Sequence, residues 1–192
     1  INTGCSASDD VVITNSQPQT AIALTGTPEI CGGVATLIGN APGLGESGLW
    51  TMVDATGTIV NPTSNNTTVS GLKSGTNTFR WTLSKGTSTT CSSFADVSID
   101  NNMVTANAFT SNNISCDATA SLTGNDPSIQ LATGLWTVST GATISNSTSF
   151  AITASNLAPD NNIFTWTVTR GTCNASASVT ITNNQAIAAV GG

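Results

Sequence analysis

The chain reads as an all-β protein of tandem β-sandwich repeats with essentially no helix. Three observations predict this. The stretch NTFRWTLSKGT at 77–87 returns as NIFTWTVTRGT at 162–172, so that Phe79, Trp81 and Lys85 are matched 85 positions on by Phe164, Trp166 and Arg170. A period of that length is one small domain, repeated. Short β-branched runs alternate with Gly, Pro and Asn clusters, which is the pattern of strands and turns. No window holds a sustained apolar stripe of period 3.6.

The elements follow in order. Residues 1–17 are too short for a domain, yet DDVVITN at 9–15 aligns with ADVSIDN at 95–101 and ASVTITN at 177–183. Each of these segments follows a cysteine (Cys5, Cys91, Cys173). Residues 1–17 are therefore read as the last strand of a preceding repeat. The first full repeat is expected over 18–102, with strands at 20–25, 33–38, 49–53, 57–60, 66–70, 76–84 and 95–100. Turns are expected between them at 26–29, 39–48, 61–65, 72–75 and 84–88. Seven short strands in one repeat is the signature of an immunoglobulin-type sandwich. The second repeat, 103–184, carries strands at 135–139, 142–145, 150–154, 162–169 and 177–182. GLW at 48–50 recurs at 134–136, and Leu72 recurs as Leu157. QAIAAVGG at 185–192 resembles TAIALTG at 20–26 and is read as the first strand of a following repeat.

Alternation assigns the core. Period 2 puts Phe79, Trp81 and Leu83 on one face of their strand, and Phe164, Trp166 and Val168 on the matching face. Trp50 with Met52, and Trp136 with Val138, point inward in the same way. Trp50 is expected to meet Trp81, and Trp136 to meet Trp166, across each sandwich. Such a buried aromatic pair contributes about 0.5–1.5 kcal/mol beyond its burial. The opposing reading is a row of exposed Trp rings stacking on sugars. Lys85-Gly86 and Arg170-Gly171 mark equivalent hairpin tips. There the long side chain either points to solvent or makes a cationic contact to a neighbouring repeat or ligand.

Composition excludes several functions. Only 7% of the residues are charged, the formal net charge is −6, and Lys73, Arg80, Lys85 and Arg170 are the four basic residues. No cationic stripe can follow a phosphate backbone, which argues against nucleic acid and anionic membranes. Thr, Ser and Asn make up about two-fifths of the chain, a strong departure from average usage. No apolar run reaches the roughly 18 residues of a membrane span. The chain has no His or Tyr and no GxSxG, HExxH or P-loop motif. Its Asp residues are scattered through turns and strand borders, so no catalytic residue, cofactor or metal is assigned. Calcium is the one ion that loop Asp residues with backbone carbonyls suit, but no DxDxDG-like cluster is present.

Five Cys suggest disulfides in a secreted setting. Spacings of 60 and 57 residues pair Cys31 with Cys91 and Cys116 with Cys173. A closed loop of that size is worth about 4 kcal/mol in the chain-entropy model. In strict immunoglobulin topology these positions lie at opposite ends of a domain, so the pairing requires Cys91 well down its strand. Cys5 is expected to pair outside the chain, in the preceding repeat.

The ordered features now support a resemblance. A Cys, an apolar strand, a Pro/Gly loop, GLWT, GTI, Leu-x-x-G, NTFRWT, a basic-Gly turn, a second Cys and DVSI resemble the PKD-like and immunoglobulin-like tandem repeats of giant surface adhesins of gliding bacteria, exported by the type IX route. The resemblance covers both repeats and both partial ends. It implies a non-catalytic spacer or adhesive segment of an extracellular filament or stalk. The implied partners are neighbouring repeats, like filaments and surface polysaccharide. The alternatives are a carbohydrate-binding or spacer module of a secreted enzyme, and a fibre subunit that assembles by strand addition.

Overall fold

The computed structural model describes residues 4–5, 7–12, 15–86 and 91–185. The first half forms eight strands: β1 (Ala23–Thr25), β2 (Glu29–Ile30), β3 (Val34–Gly39), β4 (Glu46–Asp54), β5 (Thr58–Ile59), β6 (Asn66–Ser70), β7 (Gly75–Lys85) and β8 (Ser92–Asn101). The second half repeats them as β9 (Ala108–Thr110), β10 (Ile114–Ser115), β11 (Ala120–Gly124), β12 (Thr133–Val138), β13 (Thr143–Ile144), β14 (Ala151–Ser155), β15 (Asp160–Arg170) and β16 (Cys173–Asn183). Among the described residues the one helical element is a 3-10 turn at Pro127–Gln130, capped by the Asp126 side chain.

Each half is a pair of four-stranded sheets. The orders are β1-β3-β6-β5 over β2-β8-β7-β4, and β9-β11-β14-β13 over β10-β16-β15-β12. This is the immunoglobulin-type sandwich, twice, with its opening strand broken. β1 pairs antiparallel with β3, whereas β2 pairs in parallel with the far end of β8, Ile30 against Asn101. The expected turn at 26–29 is thus partly strand. Pro28 has no N–H and cannot continue the first ladder; its carbonyl accepts from Asp100 N–H at 2.8 Å in the other sheet. In the second half the carbonyl of Asn113 takes Thr182 N–H in the same way.

Each sandwich has its own core. Trp50, Phe79, Trp81, Trp136, Phe164 and Trp166 are all at most 1% exposed. The indoles meet differently from expectation. Trp50 is the register partner of Trp81 on the neighbouring strand, and Trp136 of Trp166. Their ring centroids are 5.1 and 5.3 Å apart, with planes tilted by 38°. They lie side by side on one sheet rather than across the sandwich, because β4 and β7 are adjacent antiparallel strands. The facing sheet supplies Leu37 and Val69 to the first core and Leu122 and Ile152 to the second. Gly48 and Gly134, which open the two GLW triplets, lie beneath the Trp81 and Trp166 rings, and a Cβ at either position would collide with the indole. Met52 does not turn inward. It is 46% exposed, at a bulge between Met52 and Asp54 that ends the buried alternation of β4.

With no Tyr available, a buried asparagine pair ties each loop before β7 and β15. Asn77 and Asn162 are fully buried, and their amides donate to Lys73 O and Gly75 O, and to Ala158 O and Asp160 O. Asn101 and Asn183 donate to Leu72 O and Leu157 O.

Residues 7–12, in the expected orphan strand, are exposed and form no strand; positions 13 and 14 of that strand lie outside the described residues. So do positions 186–192 of the expected following strand and the tip at 87–90.

Candidate functional site: the junction between the repeats

The chemistry of this chain concentrates where the β15–β16 hairpin reaches the first sandwich. Arg170 faces Cys173 in the ladder, leaving a two-residue tip of Gly171 and Thr172. Gly171 has φ 56°, the left-handed region that two-residue hairpins favour. Its Cβ position would run into the Glu29 carboxylate and come within 2.9 Å of Asn102 Nδ2, so the close approach also requires glycine.

The tip docks on β2. Glu29 Oε1 accepts the Thr172 backbone N–H at 2.9 Å and the Thr172 hydroxyl at 3.0 Å. Those bonds, led by the Thr172 backbone donor with help from the Asn102 side chain, hold the Glu29 carboxyl below its ordinary range. Arg170 Nη1 donates to Ser74 Oγ at 3.2 Å in the first repeat and to Gln130 O at 3.3 Å in its own. The cationic tip therefore makes an inter-repeat contact, toward the preceding repeat. Lys85 makes no equivalent side-chain bond among the described residues.

A disulfide closes the junction. Cys31 is bonded to Cys173, with Cα atoms 5.2 Å apart and 142 positions apart in sequence. Cys173 is 2% exposed. This corrects both expected bridges, Cys31–Cys91 and Cys116–Cys173. Cys31 directly follows Ile30, which pairs with Asn101 at the end of β8, while Cys91 directly precedes Ser92 at its start. The ten residues of β8 separate the two by about 30 Å at roughly 3.3 Å per residue, and a disulfide spans less than about 7 Å between Cα atoms. Cys116 and Cys173 are kept apart in the same way by β16, since Ser115 pairs with Asn183 at its far end. Cys5, Cys91 and Cys116 carry free thiols.

Elsewhere the acidic groups serve structure. Asp117 is held below the usual carboxylate range by the Ser115 hydroxyl, then by Thr119, and Asp126 by Ser128. Glu46 is lowered by the Gly43 and Gln19 backbone donors, and Asp96 by Arg80. All of these shifts favour the charged form, whereas a general acid needs its pKa raised toward neutrality. Arg80 donates to both Asp96 oxygens, at 2.7 and 2.9 Å, and lies 3.8 Å above the Phe94 ring. Among the described residues no three His, Cys, Asp or Glu side chains converge as a metal site. A shallow depression of about 490 Å³ on the second repeat is lined by Ile114, Ser115, Cys116 and Asp117 among others. No Trp ring reaches the surface to stack on a sugar.

No protein-family model matches the chain, and no curated protein sequence matches it. Solved structures do show similarity. A Dscam structure described by its isoform specificity is 16% identical with a TM-score of 0.46, covering 90% of this chain and 47% of that one. Sidekick-1 immunoglobulin domains 1–4 are 13% identical with a TM-score of 0.45, covering 92% and 51%. Murine CEACAM1b is 12% identical with a TM-score of 0.40, covering 85% and 99%. The chain thus spans about half the length of the Dscam and Sidekick-1 chains, and at these identities the likeness is one of fold alone.

Proposed function

We propose that the chain is a non-catalytic, extracellular structural segment, a spacer in which sandwich repeats are locked end to end. One observation carries this reading: the Cys31–Cys173 disulfide joins two separately cored domains. A bond within a domain would stabilise that domain; a bond between domains fixes their relative position. The Glu29–Thr172 and Arg170–Ser74 bonds add a polar clasp around it. The disulfide also fits an oxidising compartment outside the cytosol. The repeat motifs favour the surface of a gliding bacterium and export by the type IX route. Neighbouring repeats are the proposed partners, and surface polysaccharide is a further one.

The test is rigidity. In the oxidised chain, NMR relaxation is expected to give both sandwiches one common tumbling time. After reduction, or in Cys31→Ser, the two halves are expected to tumble separately and faster. Independent tumbling in the oxidised chain would overturn the spacer reading.

A further inference from the structure

We propose that Cys31 is a thiolation site: a small external thiol opens the inter-repeat disulfide at the Cys31 sulfur, leaving a mixed disulfide on Cys31 and a thiol buried at Cys173. The inference rests on the spacer reading above and adds a chemical release to it.

The two halves of the bridge stand in unlike places. Cys31 is exposed, whereas Cys173 is 2% exposed. Exchange begins when a thiolate attacks one sulfur of a disulfide and the other sulfur leaves, and access decides which sulfur is attacked. The attack runs in line with the bond, from the side opposite the leaving sulfur. Only Cys31 offers an attacker an approach from solvent. An attacker of Cys173 would have to enter through the packed junction.

The backbone on each side agrees. Cys31 follows the end of β2 and opens a bend at 31–33 that belongs to no strand. Gly32 beside it has nothing within 4 Å of its Cβ position, so an added group has room there. Cys173 is the first residue of β16 and faces Arg170 across the hairpin ladder. A group on its sulfur would have to displace its packed surroundings. Ile30 O lies 3.4 Å from Cys173 Sγ. Once released, the Cys173 S–H has that carbonyl as an acceptor, which favours the thiol over the thiolate. The thiolate is the nucleophile, so return attack on the mixed disulfide is slowed.

The step needs no oxidant. The external thiolate bonds to Cys31 Sγ as the bond between Cys31 and Cys173 breaks. The electron pair of that bond leaves on Cys173 Sγ, which takes up a proton in place of the one the external thiol gave to water. One thiol and one disulfide enter, and one thiol and one disulfide leave. The covalent tie between the two cores is gone, while the Glu29–Thr172 and Arg170–Ser74 bonds remain to be loosened.

The experiment uses the 192-residue chain, oxidised and folded, with its free thiols first alkylated by iodoacetamide. A limiting dose of 2-mercaptoethanol is added and exchange is stopped early with acid. The released thiol is then labelled with a maleimide after unfolding. Peptide mass spectrometry is expected to find mercaptoethanol on Cys31 and maleimide on Cys173, in about tenfold or greater excess over the reverse pattern. In urea, where burial is lost, the two patterns are expected to approach parity. Four outcomes would overturn the proposal: the reverse pattern, equal shares in the folded chain, an undiminished excess in urea, or a folded bridge left intact by a dose that opens it in urea. Each of these leaves the spacer reading standing. That reading fails separately, by independent tumbling of the untreated oxidised chain.

Discussion

The two repeats share a fold and differ at chosen points. In the first, Arg80 faces Asp96 across β7 and β8; in the second, Thr165 faces Ser178 with hydroxyls 2.9 Å apart. In the first, Asn77 Oδ1 is buried without a partner; in the second, Asn162 Oδ1 accepts the Thr140 hydroxyl at 2.7 Å and Ala158 N–H at 3.0 Å. Five residues separate Lys85 from Cys91 at the first repeat's hairpin tip, and two separate Arg170 from Cys173 at the second's, which is docked on Glu29. The cores are nearly the same list. The differences show that the sandwich is fixed by its inward residues, while sheet surfaces and loop ends are free to specialise.

The largest expected effect tests whether the repeats fold as separate units. Trp81→Ala and Trp166→Ala each remove a fully buried indole and are expected to cost about 3–5 kcal/mol. Each variant should melt in two steps, with only the mutated repeat lowered. A single shared transition in calorimetry would show that the clasp has merged the two into one cooperative unit.

Next comes the asparagine pair. Asn162→Leu strands the Thr140 hydroxyl and Ala158 N–H, whereas Asn77→Leu strands no donor to the side-chain oxygen. The second repeat should lose about 1–3 kcal/mol more than the first, read from urea midpoints. Equal losses would show that the unpaired Asn77 oxygen is satisfied in solution.

A smaller effect concerns the junction in acid. The Glu29 carboxyl is lowered by donors from Thr172 and Asn102, so its clasp is at full strength above the ordinary Glu value and is lost as pH falls through the lowered one. In the oxidised chain, the Thr172 amide chemical shift should move as pH falls below the ordinary Glu range and its bond to Glu29 is lost. Glu29→Gln should remove that dependence.

The smallest effect is the surface exchange. Arg80→Thr with Asp96→Ser gives the first repeat the second repeat's pair. Both side chains are about a third exposed, and such pairs contribute little. The thermal midpoint is expected to move by no more than about 2 °C.

Most strands were legible because their alternation is local. TFRWTL and FTWTV show their faces within six residues, and the 85-residue echo supplied the second repeat. β2 and β10 were not legible, and no strand was expected at β9 or β11. Two residues in a parallel pairing carry no alternation. The disulfide escaped for a related reason. Spacing counts residues along the chain, whereas the pairing depends on which end of β8 each cysteine flanks. The conflict with immunoglobulin topology was the available signal, and its resolution was a bond between domains. The GLW glycines also held a message, since each leaves room for the indole of the neighbouring strand.

The bridge between Cys31 and Cys173 also decides how far the chain can be drawn out. Tension applied outside it runs along β1 and β2, crosses the sulfurs and leaves along β16. Of 192 residues, the 141 between the two cysteines are hidden from the pull, leaving 51. Fully stretched, the oxidised chain pays out roughly 180 Å and the reduced chain roughly 690 Å, at about 3.6 Å per residue. The difference is a reserve of contour length that force alone does not reach and a reductant releases.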